Sequence, residues 1–328
     1  MTNQLIPTDT NLLAPDDIAI HLEATLDDYC RGKSPNTQRA VRYAMQSFMD
    51  YVQASGSHKA TAGLLNSWYG HLRETPTERC PDGNSHITAK TRMSLVKSVL
   101  DTFNLNNPHL MIPHLFMVKA PTKAKDDKLH FRLTAEQTQS LLNAPDANTA
   151  IGSRDRAVLA LLLGAGLRRF EIANLKWGHV AIRDGHPHLI DMTGKGGRVR
   201  SFAFPPWVHR ALQDWKSWDI GDGEHVFCTM RKAGKYRGPM NGQAAWRVVE
   251  RHCLELGITK LQNAKVTLPR PHDLRRTFAR HYYIGGGDIK QLQQILGHSS
   301  VATTEKYIGT LENPDAQQPA QFLPYKIN

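Results

Sequence analysis

Long apolar runs are missing from this sequence: none approaches the roughly 18 residues that a membrane-spanning helix needs. The N-terminal stretch carries acids where a secretory signal would have a basic start and an apolar core. No signal peptide is expected, and the chain is expected to be cytoplasmic, with no membrane partner. Cysteine is scarce. The four cysteines, Cys30, Cys80, Cys228 and Cys253, form no C-x-x-C pair and no Cys/His zinc spacing, so they read as reduced thiols. The 16 histidines include no H-E-x-x-H, and neither a metal nor a cofactor is expected. No internal repeat or low-complexity tract stands out. Acidic residues are in deficit, 30 against 41 Lys and Arg, for a formal charge of +11. Six of those acids (Asp9, Asp16, Asp17, Glu23, Asp27 and Asp28) are the only charged residues before Arg31. Behind that leader the body of the chain is strongly basic. A surplus of this kind favours a polyanionic partner, of which nucleic acid is the commonest.

What is present fits a folded, two-domain protein. A length of 328 residues exceeds one average domain, and 40% hydrophobic content suffices for packed cores. The expected organisation is an acidic leader over 1–17, a helical domain over 18–115, a linker over 116–131, a second domain over 132–312 and a tail over 313–328. A helix is expected around 17–30. Ser34-Pro35 gives an N-cap with proline in the first turn. Val41, Met45, Phe48 and Val52 follow at helical spacing. Leu64, Leu65, Trp68 and Leu72 mark a third helix, and Leu95, Val99 and Phe103 a fourth. The basic residues of this bundle, Arg31, Lys33, Arg39, Arg42, Lys90, Arg92 and Lys97, are candidates for phosphate contacts, though solvated helix faces carry such residues as a matter of course. Lys119, Lys123, Lys125 and Lys128 in the linker are placed to track a DNA backbone.

The second domain opens on Thr134-Ala135-Glu136-Gln137, a capping-box pattern. Ala157 to Leu163 is almost wholly apolar, which predicts a buried helix. His188–Met192 and Arg198–Phe204 read as two strands around the turn Thr193-Gly194-Lys195-Gly196-Gly197. Helices are expected at Trp207–Trp215, Ala244–Leu256, His272–Ile284 and Ile289–Leu296, with a last one holding Tyr307. The predicted fold is thus mainly α with a small antiparallel sheet or hairpin.

Four patches in this domain combine chemistry-bearing residues: Arg168-Arg169 in GLRRFE, Lys195 at a glycine-rich tip, His272 and Arg275 at i, i+3 on one helix face, and His298 followed nine positions later by Tyr307. Singly, each has an ordinary explanation, whether surface pair, solvated turn, helix cap or core aromatic. Together they fit one task. Cleaving a phosphodiester through a side-chain hydroxyl needs a nucleophile, cations on the non-bridging oxygens and a proton donor for the leaving 5′ oxygen. Two arginines can grip both oxygens, so no metal is required. The tyrosyl ester conserves the bond energy, so rejoining needs no ATP.

The order R…K…H-x-x-R…H…Y, carried by GLRRFE, TGKGGR, PHDLRRTFA and LGHSSVATTEKY, resembles the tyrosine recombinases, also called the phage integrase family. SPNTQRAVRYAMQSFMDYV is similar to their SAM-like core-binding domain, and LTAEQTQSLL to the entry into their catalytic domain. The resemblance spans about residues 18 to 312. It implies a two-domain clamp of a helical core-binding domain and a mixed α+β catalytic domain. It also implies a catalytic set of Arg168, Lys195, His272, Arg275, His298 and the nucleophile Tyr307, with Lys195 protonating the leaving 5′ oxygen. Arg169 reads as a bystander. The implied partners are a double-stranded DNA recombination site and a tetramer, of this chain alone or with a related recombinase. The implied function is integration or excision of a mobile element, with Xer-type dimer resolution as the alternative. A type IB topoisomerase shares the tyrosine chemistry, but the two-domain order and LGHSS text favour a recombinase. A DNA-binding regulator would not need the full catalytic set, and a metal-dependent nuclease would want clustered carboxylates where these patches are basic.

Overall fold

The computed structural model describes residues 15–57, 60–76, 83–108, 112, 115–118, 131–194, 197–218, 223–230, 236–262 and 265–309. The chain divides into two compact units between residues 127 and 128. That division falls inside the stretch read as a linker, most of which, with Lys119, Lys123, Lys125 and Lys128, lies outside the described residues. The C-terminal segment from 310 onward lies outside them too.

The first unit is helical. Helices α1 (Pro15–Cys30), α2 (Pro35–Ala54), α3 (Ala62–Glu74) and α4 (His86–Asn106) form it, with α4 packed against the other three. Ser34, Thr61 and Ser85 cap α2, α3 and α4 by accepting from a backbone N–H three residues on, and each such cap contributes about 1 kcal/mol. The 3.6-residue period puts Val41, Met45, Phe48 and Val52 on one buried stripe of α2. Trp68 of α3 meets Phe48 edge-on, with ring centroids 5.3 Å apart.

The second unit is built around α6 (Ala150–Gly164), buried from Ala157 through Gly164 and packed against α5 (Ala135–Asn143), α7 (Arg169–Ala173), α8 (Pro206–Lys216), α9 (Gly242–Glu255) and α10 (Pro271–Ile284). The unbroken apolar run explains this: a helix with no polar face is stable only where every side is covered. The capping box at the start of α5 is formed in both directions, Gln137 N–H to Thr134 Oγ1 at 3.2 Å and Thr134 N–H to Gln137 Oε1 at 3.1 Å. Helices α11 (Ile289–Leu296) and α12 (Val301–Ile308) close the described chain.

A three-stranded antiparallel sheet, in order β1 (Val180–Arg183), β2 (His186–Thr193) and β3 (Val199–Ala203), flanks this core. The glycine turn joins β2 to β3 as expected, but β1 was not foreseen. Nor were two short ribbons, β4 (Cys228–Met230) with β5 (Tyr236–Pro239) and β6 (Lys260–Gln262) with β7 (Lys265–Thr267). Strands of three or four residues are too short to show an alternating pattern. Cys30, Cys228 and Cys253 are free, buried thiols; Cys80 lies outside the described residues. Among the described residues no helix is long and apolar enough to cross a membrane.

Candidate active site

Tyr307 sits in the last turn of α12, half-buried, with its backbone end fixed by two arginines. Arg132 donates to the Tyr307 carbonyl and Arg280, from α10, to that of Ile308, both at 3.3 Å. Cations at a helix C-terminus complement its dipole and satisfy carbonyls that have no partner within the helix. The phenol projects between two imidazoles. Its ring centroid is 4.7 Å from that of His298 and 5.3 Å from that of His272, both edge-on, and the Arg276 guanidinium lies 5.4 Å away. The Tyr307 hydroxyl is within hydrogen-bond reach of both His272 nitrogens and nearer Nε2.

The two histidines are held in the neutral form. His272 is exposed by its surface area, yet desolvation, the largest cause, and the charges of Arg276, Arg275 and Arg168 push it down to about 4. His298 is lowered to about 4 by desolvation and by Arg275 and Arg168. A neutral His272 can accept the phenolic proton, which an imidazolium could not. His298 Nδ1 is engaged by Thr304 Oγ1 at 3.0 Å, leaving Nε2 as the nitrogen without that tie.

Arg168 stands at the N-cap of α7, partly exposed. Its backbone N–H and its Nη1 both donate to Glu171, at 2.8 and 2.9 Å. Arg275 differs. Its side chain is 0% exposed, with Nη1 donating to the Gly166 carbonyl, Nη2 to that of Leu296, and Glu171 Oε2 at 3.7 Å from Nη1. Sharing a helix face with His272 therefore does not bring shared exposure. Burial, with Arg168 next, lowers Arg275 to about 10, still charged at neutral pH. Burial alone would raise Glu171, but the Arg200 hydrogen bond and the charges of Arg200 and Arg275 hold it below the usual carboxylate range. Asp273 receives the Arg270 N–H at 2.9 Å and the ammonium of Lys260 from β6.

Arg168, Arg200, Arg275 and Arg276 outnumber the two buried carboxylates they surround, Glu171 and Asp273. Such a surplus of positive charge attracts an anion. Arg168 and His272 also line one cavity of about 480 Å³ with Arg169, Phe170, Trp246 and Arg270. The structure thus brings together Arg168, His272, Arg275, His298 and Tyr307. Lys195 lies outside the described residues, although the hairpin that carries it is closed just below its tip by Gly194 N–H to Arg198 O at 2.7 Å.

Sequence reasoning gave no role to Glu171, Arg200, Asp273, Lys260 or Arg276. Glu171 had a signal, three residues after Arg168 in GLRRFE. Arg200 and Lys260 had none, because their partners lie 29 and 13 positions away. In the first unit Arg31, Arg42 and Lys97 make ion pairs with Asp28, Asp27 and Asp101. Lys33 stacks on Tyr29, Arg92 on Tyr43, and Arg39 bonds Asn36. Lys90 is partly exposed, and Lys123 and Lys125 lie outside the described residues.

The phage integrase family model matches residues 131–313, more than half of the chain. The chain belongs to the phage integrase family. Similarity to curated tyrosine recombinases extends further. The chain is 28% identical over 281 residues to tyrosine recombinase XerC of Myxococcus xanthus, covering 84% of this chain and 88% of that protein. It is 34% identical over 182 residues to tyrosine recombinase XerD of Ralstonia nicotianae, covering 53% of this chain and 54% of that protein. Among solved structures, the Tn1549 transposon integrase in complex with transposon right end DNA aligns over 93% of this chain and 99% of its own, at 18% identity and a TM-score of 0.69. The XerH site-specific recombinase bound to palindromic difH substrate aligns over 94% and 86%, at 16% identity and a TM-score of 0.66. These structural likenesses establish the fold, mainly helical with small antiparallel sheets. As a tyrosine recombinase the chain is an enzyme of DNA strand breakage and rejoining.

Proposed function

We propose that this recombinase cuts its DNA by attack of Tyr307 Oη on a phosphodiester. The new O–P bond makes a 3′-phosphotyrosyl link, and the bond to the 5′ oxygen breaks. The phenolic proton passes to neutral His272, and Lys195 supplies the proton that leaves with the 5′ hydroxyl. Arg168 and Arg275 offset the charge that builds on the non-bridging oxygens, and His298 Nε2 is available to the same phosphate. Reversal by a 5′ hydroxyl from another strand exchanges partners through a Holliday junction. The observation that carries this reading is the Tyr307 hydroxyl on His272, inside a site whose arginines exceed its carboxylates.

The partner is a double-stranded recombination site, engaged by four subunits, of this chain alone or with a related recombinase. The biological role is integration or excision of a mobile element. Xer-type dimer resolution is the second reading, favoured by the XerC and XerD names of the relatives. The DNA recovered bound to the protein distinguishes the two: element ends in one case, a chromosomal or plasmid resolution site in the other.

The chemistry is tested with a nicked suicide duplex in EDTA. The parent is expected to form a covalent protein–DNA adduct without divalent metal, and Tyr307→Phe none while still binding DNA. An adduct with the Phe variant would exclude Tyr307 as the nucleophile. Loss in EDTA with rescue by magnesium would favour a metal-dependent nuclease.

A further inference from the structure

Arg200, on β3, reaches three places at once. Its Nε donates to the Ile295 carbonyl in the last turn of α11 at 2.8 Å, and its Nη2 to Glu171 Oε2 at 2.9 Å. Its Nη1 lies in a slot between two glycines, where a Cβ on Gly194 would stand 3.1 Å from it and one on Gly297 3.4 Å. The side chain is only 10% exposed. Arg200 thus commits Nε and Nη2 to protein groups, and it bonds directly to the carboxylate that holds Arg168.

We propose that Arg200 is a positioning residue for the phosphate clamp, fixing Glu171 and, through Glu171, the guanidinium of Arg168. Glu171 has two oxygens with different duties. Oε1 takes Arg168 Nη1; Oε2 takes the Arg168 N–H and Arg200 Nη2, and stands 3.7 Å from Arg275 Nη1. With Arg200 in place the carboxylate is balanced between its neighbours. Without it, the strongest unmet attraction on Oε2 is Arg275. Glu171 would turn toward that charge and carry Arg168 away from the position it holds beside His272. The anchor on Ile295 gives Arg200 its leverage, since α11 is also tied down one residue on, where Leu296 receives Arg275. Lysine cannot replace it, because one ammonium on a flexible stem does not span the Ile295 carbonyl and Glu171 as a planar fork does.

This inference rests on the role proposed for Arg168, and its test separates the two. Adduct formation by the full chain is timed on two nicked duplexes, one with an ordinary scissile phosphate and one with a neutral methylphosphonate there. The phosphonate lacks one anionic oxygen, so it depends less on a well-placed second cation. Arg200→Met is expected to slow cleavage of ordinary DNA by about 10–100-fold, as loss of a supporting partner around a charged centre does, with DNA affinity little changed and the thermal midpoint lowered, because buried Glu171 loses a charged partner. On the methylphosphonate the gap to the parent should largely close, as it should for Arg168→Ala. Arg200→Lys should behave like Arg200→Met. An equal gap on both duplexes would overturn the inference, because a general structural defect does not distinguish them. So would failure of the Met and Lys variants alike to fold, which would make Arg200 a structural residue. Absence of any adduct with the parent would instead bring down the functional reading on which the inference stands.

Discussion

Arg168 and Arg275 are assigned one task, but they differ in what else depends on them. The Arg168 side chain bonds Glu171 and is partly exposed. Arg168→Ala is expected to fold and bind DNA while cleaving about 10²–10³-fold more slowly, the usual cost of one preorganised charge contact. Equal losses in affinity and rate would reduce it to an ordinary phosphate contact. Arg275→Ala is a less clean experiment. It strips hydrogen bonds from the Gly166 and Leu296 carbonyls and leaves Glu171 undercompensated, which costs about 3–5 kcal/mol for a broken buried pair. His272 and His298 add a pH dependence with a definite sign. Each is depressed from 6.5 to about 4 in the fold, so on acidification the unfolded chain takes up these protons first. The stability they provide is complete above about pH 6.5 and is lost as pH falls toward 4. The thermal midpoint should decline through that window, and His298→Gln should flatten the decline. An unchanged slope in the variant would show that other groups set the acid limit.

At the scale of elements, the end of α11 carries more than its eight residues would suggest. Gly297 terminates it at φ +63°, a conformation that L side chains adopt only with strain, and the chain then delivers His298 to the site. Gly297→Ala is expected to cost about 1–2 kcal/mol for the left-handed backbone alone, and its Cβ would press on Arg200, 3.4 Å from Cδ and Nη1. Urea unfolding reads the first effect and adduct formation the second; a variant of parental stability and rate would show that the turn tolerates a side chain. The elements legible in the sequence were those with a local physical signature: the stripe of α2, the all-apolar run of α6, the caps at Ser34 and Thr134, and the glycine turn between β2 and β3. Those that were not, β1 and the two ribbons, owe their existence to pairing across the chain. The candidate site divides in the same way. Residues whose type carries the chemistry, such as Tyr307 and His272, stand out in a one-dimensional pattern. The network that orders them does not, because Glu171 meets Arg200 only after β3 has been placed against α11.

At the scale of the whole molecule, the proposed reaction needs two DNA sites with two subunits on each, so four copies must meet. A closed ring of four requires that each copy give one surface and receive another. The sequence beyond α12 suits the giving side. Glu312 to Gln321 is polar and contains Pro314 and Pro319, a composition that favours an extended connector. Phe322, Leu323 and Tyr325 then add apolar side chains beyond that connector. These residues lie outside those the structure describes. Removing 314–328 is expected to leave a protein that binds its site as a monomer but assembles and recombines poorly. Gel-shift and chemical crosslinking on a site-containing duplex measure both. If the truncated protein still forms normal tetramers, the apolar end packs on its own domain and some other surface joins the subunits. If instead it no longer binds DNA at all, the tail supports the fold or the DNA interface, and exchange between subunits is not its function.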